Sequence, residues 1–222
     1  MTKRIALTAT ILAALAVAVP AFAGITVYSN SFKAKSSYKA ITKQSGKGKR
    51  CKREWRKKSA LGVAVKGGKQ NCALKTPVAG DSAQPDLIVK ALAKLTGRTD
   101  KAARKGAYLG VSVRASRKDG YVFRVIPKAR KWELLENKVV VEKGKDDAIA
   151  GIKKKNVLEI RARGKKISGR VNGEAVVSYD APDPEQVRGT GTGLVYGNKH
   201  KVKGKKKAVG FFDDLAVQVP SP

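Results

Sequence analysis

Few side chains in this chain of 222 residues are placed for acid-base chemistry. Its 17 acidic residues face 48 lysines and arginines, and His200 is the one histidine. Retaining glycoside hydrolysis needs two carboxylates about 5 Å apart, which on a strand means acids at i and i+2, or i and i+4, sharing a face. Glu133 with Glu136, Asp146 with Asp147, and Asp213 with Asp214 are the nearest groupings, and none has that spacing. Adjacent strand residues also point to opposite faces. His200 lies between Lys199 and Lys201, whose charges oppose the imidazolium that a general base must become, so no Ser-His-Asp reading stands. The glycines at 189, 191 and 193 lack the Gly-Lys-Ser/Thr of a phosphate loop and read as a turn before Leu194. Recognition chemistry is better supplied. Tyr108, Tyr121 and Trp132 could stack on sugar rings, and Arg114 and Arg124 could fork onto a hydroxyl pair or a carboxylate. For Tyr121 and Trp132 a place in the packed core is the favoured reading, since large rings usually contribute to sandwich packing.

These residues sit on strands. Leu109, Val111 and Val113 alternate with Tyr108, Ser112 and Arg114, and Leu158, Ile160 and Ala162 alternate with Glu159, Arg161 and Arg163. Stretches 156–164, 167–179, 193–196 and 209–219 read as consecutive antiparallel strands punctuated by glycine or asparagine. Lys118-Asp119-Gly120 and Asn172-Gly173 mark hairpins. Toward the N-terminus, residues 25–28 with Phe32 form a first strand, 60–65 a second ending at Gly67-Gly68, and the surroundings of Cys72 a short third; 76–85 is a loop. Segment 86–95 is ambiguous. Leu87, Ile88, Ala91, Leu92 and Leu95 share a helical face that Asp86 could cap, but strands on both sides favour a strand. Residues 146–153 are expected to form a short helix, acidic at its start and lysine-bearing at its end. The apolar sets then make the layer between two stacked sheets.

Residues 156–164 spell N-x-L-x-I-x-A-x-G, followed by V-N-G at 171–173, G-x-G-L at 191–194 and F-F-D-D-L-A-V at 211–217. This pattern resembles the C-terminal half of concanavalin A-like lectin/glucanase jelly rolls, in particular laminin-G-like and 3-keto-disaccharide-hydrolase-like modules of secreted bacterial proteins. Stretches 107–114, 119–125 and 131–134 are similar to the middle strands of that superfamily, so the likeness covers 86–219. It implies an all-β, antiparallel two-sheet jelly-roll β-sandwich whose outer polar residues line a concave, ligand-bearing face. The Glu-x-Asp-x-x-Glu of family-16 glycanases in this superfamily is absent. Terminal-strand aspartates of some members hold calcium, which would make Asp213 or Asp214 a ligand. Calcium takes several oxygens, however, and only one or two are nameable here; the other reading is an aspartate satisfied by backbone amides or a lysine.

At the N-terminus Lys3 and Arg4 precede an apolar stretch from 5 to 19, then Pro20 and an Ala21-Phe22-Ala23 cleavage box, the pattern of a secretory signal peptide over residues 1–23. A single domain over 24–222 with no membrane span remains. That mature chain has 46 basic and 17 acidic residues, net +29, which attracts polyanions. Its lysine clusters either keep loop tips solvated or form a polyanion-facing patch. Cys51 and Cys72, 21 positions apart, should pair after export and stabilise the fold by roughly 3 kcal/mol.

The expected function is a secreted, non-catalytic, monomeric module for an extracellular glycan or cell-wall polymer of anionic character, using Tyr108, Arg114, Arg124 and Trp132. It needs no specific nucleic-acid recognition and no cofactor, calcium aside. Two alternatives stand beside it. One is a hydrolase or lyase acting on a modified disaccharide, as the 3-keto-disaccharide-hydrolase-like resemblance implies, with Glu133 and Glu159 as its testable acids. The other is a basic adhesion or structural protein held to polyanions by charge.

Overall fold

A computed structural model describes residues 24–45, 50–56, 60–67, 70–79, 85–116, 119–187, 189–200 and 207–220. The expected signal peptide lies outside these residues, as do the hairpin tip 117–118 and the lysine-rich stretch 201–206. In chain order the strands are β1 (Gly24–Asn30), β2 (Thr42–Ser45), β3 (Cys51–Arg56), β4 (Ala60–Lys66), β5 (Gln70–Ala79), β6 (Leu87–Leu95), β7 (Ala107–Ala115), β8 (Tyr121–Ile126), β9 (Lys131–Glu136), β10 (Val139–Lys145), β11 (Asn156–Arg163), β12 (Lys166–Val171), β13 (Glu174–Asp180), β14 (Gly191–Asn198) and β15 (Lys207–Pro220). Two short helices, α1 (Lys35–Ala40) and α2 (Lys101–Arg104), join them. Among the described residues no helix is long and apolar enough to cross a membrane.

All pairings are antiparallel, and the strands form two sheets. The first sheet runs β13-β12-β11-β6-β15-β4-β3, with β1 also paired to β15; the second runs β10-β9-β8-β7-β14-β5-β2. The period-two pattern sorts their side chains as expected: Leu109, Val111 and Val113 of β7 and Leu158, Ile160 and Ala162 of β11 are all buried in one core with Phe123, Leu134 and Phe212. Full burial of such a side chain stabilises the fold by about 1.5–3 kcal/mol. The fold is the two-sheet, all-β sandwich expected from the sequence.

Segment 86–95 is a strand. β6 lies centrally between β11 and β15, so Leu87, Val89 and Ala91 fill the core while Ile88, on the other face, is also buried. Apolar residues on both sides of a central strand mimic the helical periodicity. The Asn172-Gly173 hairpin forms, with both residues at positive φ (52° and 92°) as a tight turn between right-twisted strands requires.

The helix expected at 146–153 does not form. Asp146 Oδ1 accepts from the Ala148 amide at 2.8 Å, and Asn156 grips both the amide (2.8 Å) and the carbonyl (2.9 Å) of Ala150, removing groups that a helix would use. Gly151 follows and Lys153 takes a φ of 73°, so the segment is a series of turns.

Cys51 of β3 and Cys72 of β5 are joined, with Cα atoms 5.9 Å apart. The disulfide therefore pins the edge strand of the first sheet to the second sheet.

Candidate functional site

Register across the second sheet builds the site. One transverse row runs Ala73 (β5), Val195 (β14), Gly110 (β7), Arg124 (β8), Glu133 (β9) and Lys143 (β10). Beside it Asn71, Gly197 and Tyr108 align, and on its other flank Lys75, Gly193, Ser112 and Val122. Their neighbours along each strand fill the core, so these rows form the sheet's outer face. Its floor is mostly small, Gly110, Ser112, Gly193, Gly197 and Ala73, with Val195 and Val122 in the same rows.

That small floor lets larger side chains lie flat. A Cβ at Gly197 would collide with the Tyr108 hydroxyl and the Gln70 carbonyl, so glycine leaves the space that the phenol occupies. The Tyr108 hydroxyl donates toward the Gln70 carbonyl (3.1 Å) and Asn71 Oδ1 (3.0 Å). Arg124 stacks over the ring with its guanidinium carbon 4.3 Å from the centroid. Its Nε and Nη2 both reach Glu133 Oε2, at 2.8 and 2.7 Å, and Lys199 donates to Oε1. Tyr108, Arg124 and Glu133 retain only 2%, 8% and 5% of their exposure, whereas Lys199 is half-open to solvent.

Protonation states follow from these contacts. Burial pushes the Glu133 carboxyl up, but the Lys199 hydrogen bond and the Arg124 charge outweigh it and hold it below its ordinary value. Burial pushes the Tyr108 phenol up to about 12, with Arg124 partly opposing. At neutral pH the cluster therefore holds an ionised carboxylate with both oxygens engaged, a neutral phenol and two cations. The cluster thus carries one net positive charge. Glu159 stands on the outer face of the first sheet with Arg161, so Glu133 and Glu159 cannot act as an acid pair.

Of the four residues proposed from sequence, Tyr108 and Arg124 come together here. Trp132 does not join them. It pairs with Val125 and Gly144 one residue out of step with Glu133, and its ring packs in the core where a Gly144 side chain would otherwise sit. Arg114 is also displaced. With a φ of 48° near the β7 end it turns away from the alternation, becomes fully buried, and donates to the Pro85 carbonyl and Asp86 Oδ1, both at 3.2 Å. Arg114 is a clasp from β7 to the entrance of β6, with Nη1 buried and, among the described residues, without a partner. Tyr121 is likewise a core residue. Its hydroxyl and that of Tyr179 donate to the two oxygens of Glu136 at 2.9 and 2.8 Å, tying the sheets together.

Asp213 accepts the Asp214 amide at 3.0 Å, and Asp214 has a φ of 44° where the β15–β6 register shifts. Burial, reinforced by the Asp214 charge, raises the Asp213 carboxyl, with the Asp214 amide and lysines 155 and 33 opposing. Among the described residues no group of three or more His, Cys, Asp or Glu could hold a metal ion. His200 is an exposed loop residue whose amide donates to Asn198 Oδ1 at 3.0 Å.

Sequence reasoning did not place Glu133 and Lys199 in the site. The signal for Glu133 lay in the hairpin register: a tight connection at Pro127–Ala129 puts Ile126 opposite Lys131 and hence Arg124 opposite Glu133. Lys199 enters from a long connection and had no such cue.

No protein-family model matches the chain, and no curated protein matches it in sequence. Solved structures do resemble it. The carbohydrate binding module CBM66 from Bacillus subtilis superposes with a TM-score of 0.57 at 14% identity, covering 81% of this chain and 95% of the module. The Bacillus licheniformis β-glucanase gives 0.61 at 9% identity, covering 88% and 98%. Alginate lyase A1-II', of polysaccharide lyase family 7, gives 0.53 at 12% identity, covering 74% and 81%. At such identities the likeness establishes the fold alone, a two-sheet antiparallel jelly roll.

Proposed function

We propose that this chain is an exported, non-catalytic module that holds an extracellular anionic glycan, such as a cell-wall polymer, against the outer face of its second sheet. The observation that carries this reading is the Tyr108–Arg124–Glu133–Lys199 cluster beside a floor of glycine and serine. A flat floor admits a polymer backbone closely. Arg124 and Lys199 supply charge-assisted donors for a carboxylate, and the saturated Glu133 fixes their positions. The signal-like leader and the Cys51–Cys72 disulfide support work outside the cytoplasm. An acid pair for hydrolysis has no counterpart in this cluster, because its one carboxylate is ionised and doubly ion-paired.

Affinity electrophoresis of the mature chain in gels carrying polygalacturonate, alginate or a neutral glucan, across a salt series, tests the proposal. Retardation by the carboxylated polymers at low salt is expected, and Arg124→Met should weaken it about tenfold, the scale of one lost charge-assisted contact. Absence of retardation at low salt, or unchanged affinity in a folded Arg124→Met variant, overturns it.

A further inference from the structure

The opposite face of the sandwich carries a separate cluster of cations. On the outer side of β3, β4 and β15, a groove of about 300 Å³ is lined, among the described residues, by Lys52, Arg56, Lys66, Arg98 and Lys207, with Glu54 as the only acid and Ala64 and Val209 beneath. The register explains the crowding. Lys52, Ala64 and Val209 form one transverse row, and Lys66 stands directly opposite Lys207 on the neighbouring strand. Like charges in that position destabilise a sheet. Glu54 lies 3.4 Å from Arg56, and among the described residues no acid forms an ion pair with the side chains of Lys52, Lys66, Arg98 or Lys207.

The backbone beneath these cations is held from several sides. The turn carrying Arg98 is docked on β15: the Thr96 amide and hydroxyl and the Thr99 hydroxyl all donate to the Val209 carbonyl, at 2.8, 3.1 and 2.9 Å, and the Val209 amide donates back to Thr99 Oγ1 at 3.0 Å. Arg104 adds donations to the Thr99 and Gly97 carbonyls at 3.0 and 3.3 Å. β3 is fixed beside Lys52 by the disulfide at Cys51 and by the Tyr196 hydroxyl, which donates to the Lys52 carbonyl at 3.0 Å. Repelling cations thus converge on a rigid frame, an arrangement relieved by a multivalent anion. Among the described residues no aromatic ring lines the groove, so these offer no platform for stacking bases, and lysine ammonium groups meet pendant oxyanions as point charges.

We infer that this groove on the first sheet binds the sulfate or phosphate groups of a polyanionic glycan, independently of the cluster around Arg124. A short dextran sulfate fragment is the probe, titrated calorimetrically into the mature chain at several salt concentrations. Lys66→Ser/Lys207→Ser should lose about tenfold or more in affinity and flatten the salt dependence by roughly two released counterions. Lys75→Ser/Lys143→Ser removes equal charge from the other sheet and should lose much less; Arg124→Met should leave the groove intact. Lysine acetylation footprinting reads the covered face directly, with dextran sulfate expected to protect Lys52, Lys66 and Lys207. Equal losses in the two double variants, or protection confined to Lys143 and Lys199, overturn the inference. Tighter binding of oligodeoxythymidylate than of dextran sulfate in the groove overturns the assignment to a glycan.

Discussion

Glu133 illustrates how neighbours decide what a carboxylate can do. Buried alone it would hold its proton; beside Arg124 and Lys199 it stays ionised and becomes a strut. Its folded pKa is below the unfolded value of about 4.3, so its contribution to stability is complete above that pH and is lost as the pH falls through the folded value. Asp213 has the opposite sign, since a raised folded pKa makes stability fall as pH rises from about 4 toward that value. The Glu133 share is therefore read as a difference: in urea melts, Glu133→Gln should flatten the acid limb relative to wild type while Asp213 acts equally in both. Arg124→Met, which strands a buried carboxylate on Lys199 alone, should cost about 2–3 kcal/mol, and adding Glu133→Gln should recover most of it. Failure of the double variant to recover would mean that Arg124 stabilises through its stacking on Tyr108 rather than through charge.

At the level of strands, small residues matter as much as large ones. Gly197 permits Tyr108 to cross β14, so Gly197→Ala should destabilise by roughly 2 kcal/mol through overpacking and lower glycan affinity by displacing the phenol; chemical melts and gel retardation read the two effects separately. The inner alternation of β7 and β11, the β12–β13 turn and the glycine-punctuated C-terminal strands were legible in the sequence because polar or small residues alternate there with apolar ones and turn residues bound them. Edge strands were not. β3 (CKREWR) and the far half of β10 (EKGK) are rich in charge, as exposed edges are, and lack the apolar period that announces a strand. Of the site, the outer placement of Tyr108 and Arg124 followed from alternation within single strands. Trp132 and Arg114 did not, because one depended on a cross-strand register and the other on a left-handed residue that breaks the alternation. The absent helix at 146–153 has the same cause, a side-chain clamp from Asn156 that local propensity does not see.

For the molecule as a whole, an excess of 31 positive charges opposes compaction, and the sandwich answers with a continuous apolar core, an inter-sheet disulfide and the Arg114 and Glu136 clasps. Because the two sheets present their outer sides in opposite directions, the cluster around Arg124 and the groove around Lys66 and Lys207 cannot be covered by one straight stretch of polymer. With both proposed sites filled, each molecule would act as a rivet between two chains, not a coat upon one. Mixed with a long glycan bearing both carboxylate and sulfate groups, it should cloud the solution near equivalence and clear it when either component is in excess, which light scattering follows directly. Disabling either side alone should abolish the clouding and leave soluble, singly tethered complexes.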